Sequence, residues 1–196
     1  MFESDREWIL HNTDNGIITS KAVTEQGIHR SVISEMVKRG ELTQYARGIY
    51  LLADEWEDEF YMLQLKYKRG IFSHATALYL LGYCDRVPIR FHMTFPTRYN
   101  SASLKQENVQ ITRVNEGNYE LGLSMVQTPS GNLVRGYDLE RSLCDILRGS
   151  GEDIQIIQFA MKKYAASNQK NINKLMLYAK QLHVESKVGK YMEVLL

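Results

Sequence analysis

The stretch from Gly16 to Leu52, GIITSKAVTEQGIHRSVISEMVKRGELTQYARGIYLL, sets the narrowest limits on how this chain folds. Gly27 and Gly40 close two short runs of helix-forming residues, and a glycine at positive φ is an ordinary helix stop. Thr19 stands where a side-chain oxygen caps the first run, which extends through Gln26. The second run covers about Arg30 to Arg39, with Ile33, Met36 and Val37 at i, i+3 and i+4 as a narrow inward stripe. Leu42 to Leu51 then reads as a two-stranded wing turning around Tyr45-Ala46-Arg47-Gly48. Upstream, a helix is expected over Glu3 to His11, buried through Phe2, Trp8, Ile9 and Leu10, followed by an extended Gly16-Ile17-Ile18. This order of elements is that of a winged helix-turn-helix.

Such an element implies contact with duplex DNA. Arg30, Ser31, Ser34 and Lys38 lie largely away from the apolar stripe of the second helix. Arginine reads guanine edges in the major groove, while serine and lysine hold phosphates and fix register. Gln44 and Arg47 extend the candidate set into the wing, where Arg47 beside Gly48 can reach a minor groove or a phosphate. Glu35 either accepts from cytosine or pairs with Arg39. The competing use of a winged helix is protein docking, and the acidic run Asp54, Glu55, Glu57, Asp58, Glu59 keeps that reading open. If the element binds DNA, the run is expected to point away from the duplex.

Beyond the wing, a helix is expected over Trp56 to Lys68 and another after Phe72-Ser73-His74, with Ser73 as its cap. These would complete a first domain over residues 1–85. After Pro88 the pattern becomes strand-like: Ile89 to Phe95, Val109 to Val114, Leu121 to Val126 and Leu133 to Tyr137. Asp138 is placed to cap a helix over Leu139 to Leu147, and helices over Ile154–Tyr164, Asn171–Leu182 and Val184–Leu195 follow. In the last, Val184, Val188, Tyr191 and Leu195 form a stripe. Residues 86–196 therefore read as a second domain with a small mixed or antiparallel sheet and several helices, and the chain as α+β.

Composition bounds the partners. At 196 residues and 44% apolar the chain holds enough material for real cores, and 24 basic against 23 acidic side chains exclude a general polyanion coat. Charge is nevertheless uneven: residues 1–60 carry 6 basic and 12 acidic groups, and residues from Met161 onward carry 7 and 2. Cys84 and Cys144 lack metal-ligand spacing and read as buried free thiols of a reducing compartment. No apolar run approaches the roughly 18–20 residues that span a bilayer, and no basic-then-apolar signal opens the chain, so a cytoplasmic location is expected.

Catalytic chemistry finds little support. Gly149-Ser150 is followed by Glu152 and Asp153, which are adjacent and point apart on a strand rather than sharing a metal. There is no phosphate-cradling loop, zinc-ligand cluster or nuclease-like set of acids. His74 reads as a packed or capping residue, His92 as a solvent-facing or hydrogen-bonded strand residue, and Arg141 with Asp145 as an intrahelical pair. No catalytic residue, cofactor or metal is assigned, and the chain is expected not to be an enzyme.

Several segments together resemble one family. They are Gly40-Glu41-Leu42, Arg47-Gly48-Ile49-Tyr50, Phe72-Ser73-His74-Ala75-Thr76-Ala77-Leu78, Tyr137-Asp138-Leu139-Glu140-Arg141-Ser142-Leu143-Cys144-Asp145-Ile146-Leu147, Tyr178-Ala179 and Tyr191-Met192-Glu193. Over nearly its whole length the chain resembles the AbiEi-type antitoxins of type IV, abortive-infection toxin–antitoxin systems. The resemblance implies an N-terminal domain that binds inverted repeats in its own promoter and represses the operon. It implies a C-terminal domain that counteracts a nucleotidyltransferase-like toxin without a stable complex. On this reading DNA contact falls on Arg30, Ser31, Ser34, Lys38, Gln44 and Arg47, while Arg141 and Asp145 hold the second domain together. The protein would be a monomer or a dimer assembled on DNA. The alternative is a plain winged-helix regulator whose second domain senses a ligand or dimerises.

Overall fold

A computed structural model describes residues 2–53, 58–100, 107–149 and 151–195. It divides into two compact units, Met1–Lys68 and Arg69–Leu196.

The first unit runs α1 (Phe2–His11), β1 (Ile17–Thr19), α2 (Ser20–Glu25), α3 (Arg30–Lys38), β2 (Leu42–Ala46), β3 (Ile49–Leu52) and α4 (Glu59–Lys66). Thr19 is extended and its Oγ1 accepts from the Ala22 amide at 3.2 Å, which starts α2 as expected. Gly27 and Gly40, at φ +76° and +74°, turn the chain out of α2 and α3. Strand β3 lies centrally, antiparallel to β1 through Ile17↔Leu51 and to β2 through Leu42↔Leu52. The core joins Ile9, Val23, Val32, Ile33, Met36 and Leu42. Burying each such side chain contributes about 1.5–3 kcal/mol, so the packing fixes how α3 is rotated. The buried stripe of α3 is Val32, Ile33 and Met36, with Val37 only half-buried; the expected stripe was turned by one position.

Asp58 caps α4 by accepting from the Tyr61 amide at 3.2 Å. That helix stops at Lys66 rather than Lys68. Of the acidic run, Asp58 is buried in this cap and Glu59 is exposed in the first turn. Asp54, Glu55, Trp56 and Glu57 lie outside the described residues, as does Ser150.

The second unit contains β4 (Ile71–Phe72), α5 (His74–Leu80), β5 (Phe91–Pro96), β6 (Val109–Val114), α6 (Glu116–Glu120), β7 (Leu123–Gln127), β8 (Leu133–Tyr137), α7 (Leu139–Arg148), α8 (Ile154–Ala166), α9 (Ile172–Gln181) and α10 (Glu185–Leu195). Its five strands follow the order β6-β5-β4-β8-β7. Pairs β5·β6 and β4·β8 are parallel, while β4·β5 and β7·β8 are antiparallel, so the sheet is mixed. Strand β4 sits at the centre of this sheet and α5 follows it directly, so both pack with the second unit rather than ending the first near residue 85.

Helix α7 is the axis of the second unit. Asp138 caps it by accepting from the Arg141 amide at 2.9 Å, and every residue from Glu140 to Leu147 is buried. It packs against α5, α8, α9 and α10, so it has no solvent face along those two turns. Both cysteines are buried and free, and burial pushes the Cys144 thiol up to about 12. The chain is α+β, a winged helix followed by a mixed sheet with helices. Among the described residues no helix is long and apolar enough to cross a membrane.

Candidate nucleic-acid interface

The rotation of α3 decides what the first unit can offer a partner. With Val32, Ile33 and Met36 turned inward, Arg30, Ser34 and Lys38 recur at i, i+4 and i+8 along one exposed face. At 1.5 Å per residue this row runs about 12 Å along the helix axis. Ser31 is exposed beside it, one residue round the helix. Gln44 on β2 and Arg47 at the wing turn are exposed as well. Gly48, at φ +78°, makes that turn, and a Cβ there would stand 2.7 Å from Ser20 Oγ. All six residues expected at the surface from the sequence are therefore accessible, four of them on α3 and two on the wing.

Their hydrogen bonds divide them. Lys38 and Arg47 make no ion pair among the described residues, and Arg30 Nε makes only a long 3.4 Å contact to Thr24 Oγ1. Three cations are thus free to meet phosphate or a base edge. The serines are engaged inward: Ser34 donates to the Arg30 carbonyl at 3.4 Å, and Ser31 Oγ lies 2.8 Å from His29 Nδ1. Gln44 donates to the Ala46 carbonyl at 3.4 Å. Glu35 is paired with Arg39 at 3.3 Å, both more than half exposed, which is worth little energetically but occupies the carboxylate. Of its two expected fates, the structure displays the pair.

Sequence reasoning passed over His29. It occupies the N-cap of α3, extended, with Nδ1 accepting from the Ser31 amide at 3.3 Å. An accepting Nδ1 puts the proton of the neutral ring on Nε2, leaving a donor at the amino end of α3. The available signal was its position immediately before the first periodic residue, but histidine is outside the usual capping set.

The second unit gathers a different set of polar groups. Thr94 Oγ1 donates to Ser73 Oγ at 2.9 Å, and Ser73 Oγ lies 3.0 Å from His74 Nδ1. Ser73 precedes α5 as expected but makes no side-chain cap bond, because its hydroxyl is used in this chain. The His74 ring packs on His92, centroids 4.7 Å apart, and His74 has φ +53°. Burial, aided by the Arg141 and Arg148 cations, lowers His74 to about 4; burial and His74 lower His92 to about 4. Both rings are neutral at physiological pH.

Arg141 and Asp145 form a buried pair with Nε 3.0 Å from Oδ1 and 3.1 Å from Oδ2. Arg141 Nη1 donates to the Asn118 and Leu121 carbonyls at 2.6 and 2.8 Å, and its guanidinium lies 4.1 Å from the Tyr137 ring centroid. Burial pushes the Asp145 carboxyl up while Arg141 pulls it down. These contacts tie α7 to α6 and β8. Among the described residues no group of three His, Cys, Asp or Glu side chains is placed to hold a metal.

No curated protein sequence matches the chain. In fold it is similar to a solved structure described as the crystal structure of RV2827C protein from Mycobacterium tuberculosis. That likeness has a TM-score of 0.57 at 15% identity and covers 98% of this chain and 80% of the other. Residues 10–53, the segment holding α2, α3 and the wing, match the family described as transcriptional regulator, AbiEi antitoxin. The match covers the winged-helix segment, 44 of the chain's 196 residues, and over that segment the chain is similar to the AbiEi antitoxin transcriptional regulators.

Proposed function

We propose that the protein is an autoregulatory antitoxin of a type IV system. Its winged helix binds inverted repeats in its own promoter and represses the operon, and its second unit counteracts a nucleotidyltransferase-like toxin without a stable complex. The reading rests on one observation above all: the free cations of Arg30 and Lys38 share an exposed face of α3, and Arg47 stands on the wing of the same small unit. On this reading the protein is cytoplasmic and has no catalytic role. It acts as a monomer or as a dimer assembled on the operator.

Arg30→Ala is expected to weaken operator binding by about 1–3 kcal/mol if the contact is bidentate to a base, while leaving random duplex binding nearly unchanged. Equal losses on both duplexes would move Arg30 from base reading to phosphate. Arg47→Ala is expected to weaken both duplexes alike and to reduce the salt slope of log K by about 1. An unaltered slope removes Arg47 from the phosphate contacts. The antitoxin half of the reading is tested by growth. Full-length protein is expected to restore growth to cells expressing the adjacent gene product. A toxic neighbour that it fails to counteract leaves a plain winged-helix regulator.

A further inference from the structure

Helix α10 carries two stripes. Val188 and Met192 pack inward, whereas Lys187, Lys190, Tyr191 and Val194 recur at i, i+3, i+4 and i+7 on another side. Lys190, Tyr191 and Val194, with Lys162 of α8, line a hollow of about 440 Å³. A second hollow of about 220 Å³ adjoins it through the shared Lys190 and Tyr191, with Leu147 and Ile157 among its walls. The two make one groove with an aliphatic floor and a lysine rim.

Neither end of this arrangement is satisfied within the described residues. Val194 is 83% exposed, although a large aliphatic side chain gains only by being covered. Lys162 and Lys190 make no ion pair, and no acidic side chain lines either hollow. Lys187 reaches the Leu147 carbonyl at 2.8 Å, which leaves its charge without a counter-ion.

We propose that the groove receives an acidic amphipathic helix of a partner protein. An apolar helix face places anchors at i, i+3, i+4 and i+7 into such a floor, and acidic residues flanking it meet the lysines. A two-fold pairing of the groove with its own copy would set lysine against lysine. A nucleic acid without base pairing requires stacking platforms, and the groove offers one ring, Tyr191, among aliphatic side chains. The inference concerns the second unit alone and stands apart from the DNA reading.

The test uses full-length protein and a synthetic 18-residue helical peptide with a leucine face and a glutamate face. Its controls are the same peptide with lysine for glutamate and the glutamate peptide with its leucine face scrambled. The Glu/Leu peptide is expected to shift the amide resonances of α8 and α10, and neither control to do so. Lys162→Glu with Lys190→Glu is expected to weaken it about tenfold or more, and Val194→Asp to abolish it. All three residues are exposed or half-covered, so an unchanged melting temperature verifies that the variants are folded. Equal affinity across wild type and variants overturns the proposal. So does a dimer that Val194→Asp dissociates, which gives the groove to a second copy. Displacement of the peptide by a single-stranded oligonucleotide overturns it in favour of nucleic acid.

Discussion

Asp145→Ala is expected to destabilise the second unit by about 3–5 kcal/mol, the characteristic cost of removing one partner from a buried ion pair. Arg141 is fully buried, and its side chain cannot retreat to water without dismantling α7. Without Asp145 its charge has only the carbonyls of Asn118 and Leu121 and the Tyr137 ring for company. One of its atoms, Nη2, is already buried without a hydrogen-bond partner among the described residues, so these supply no spare acceptor there. Asp145→Asn keeps a polar group in place and should cost less. Hydrogen exchange of the α7 amides reads this unit directly, which tryptophan fluorescence does not, since Trp8 and Trp56 precede it in the chain. A loss of protection below about 1 kcal/mol would mean that the pair does not organise the unit.

The second large effect is a loss of stability in acid. Folding takes His74 from its ordinary 6.5 to about 4, so between those values the unfolded chain binds a proton that the folded one refuses. Stability from this group is complete above pH 6.5 and falls as pH drops toward 4. The loss is about 2 kcal/mol by pH 5 and on the order of 3 kcal/mol by pH 4. The physical cause is enclosure against His92, with Arg141 and Arg148 opposing a further positive charge. Most carboxylates stay ionised above pH 5, so the interval from 6.5 to 5 reports the two buried imidazoles, and His92, also lowered to about 4, adds a loss of the same sign. His74→Asn tolerates the φ of +53° and should make the pH profile shallower there, leaving the part that buried His92 carries. A titration midpoint near 6.5 for the His74 ring in the folded protein would contradict this account.

What the chain discloses in advance depends on how local its causes are. Helices α2 and α3 announce themselves because Thr19, Gly27 and Gly40 act within one turn of where they stand. The exposed row of Arg30, Ser34 and Lys38 follows from the 3.6-residue period, even though the stripe beneath it is Val32-Ile33-Met36 rather than Ile33-Met36-Val37. Strands β6 and β8 fall where alternation puts them, over Val109–Val114 and Leu133–Tyr137. Five-residue α6 has too few turns to show a period. Strand β4 is two residues long, and its place at the centre of the sheet comes from pairing with β5 and β8, the latter more than sixty residues away. That pairing moves Phe72-Ser73-His74 into the second unit. The His74–His92 stack and the lysine-rimmed groove are likewise products of distant segments, and neither has a local signature.

The most direct test of the central claim is a footprint of the full-length protein on the DNA upstream of its own gene. Protection of two inverted half-sites against excess random duplex is expected, with a steep salt dependence. The folded double variant Arg30→Ala, Lys38→Ala should lose it. An absence of protection, or protection that the double variant leaves intact, would contradict DNA recognition through α3.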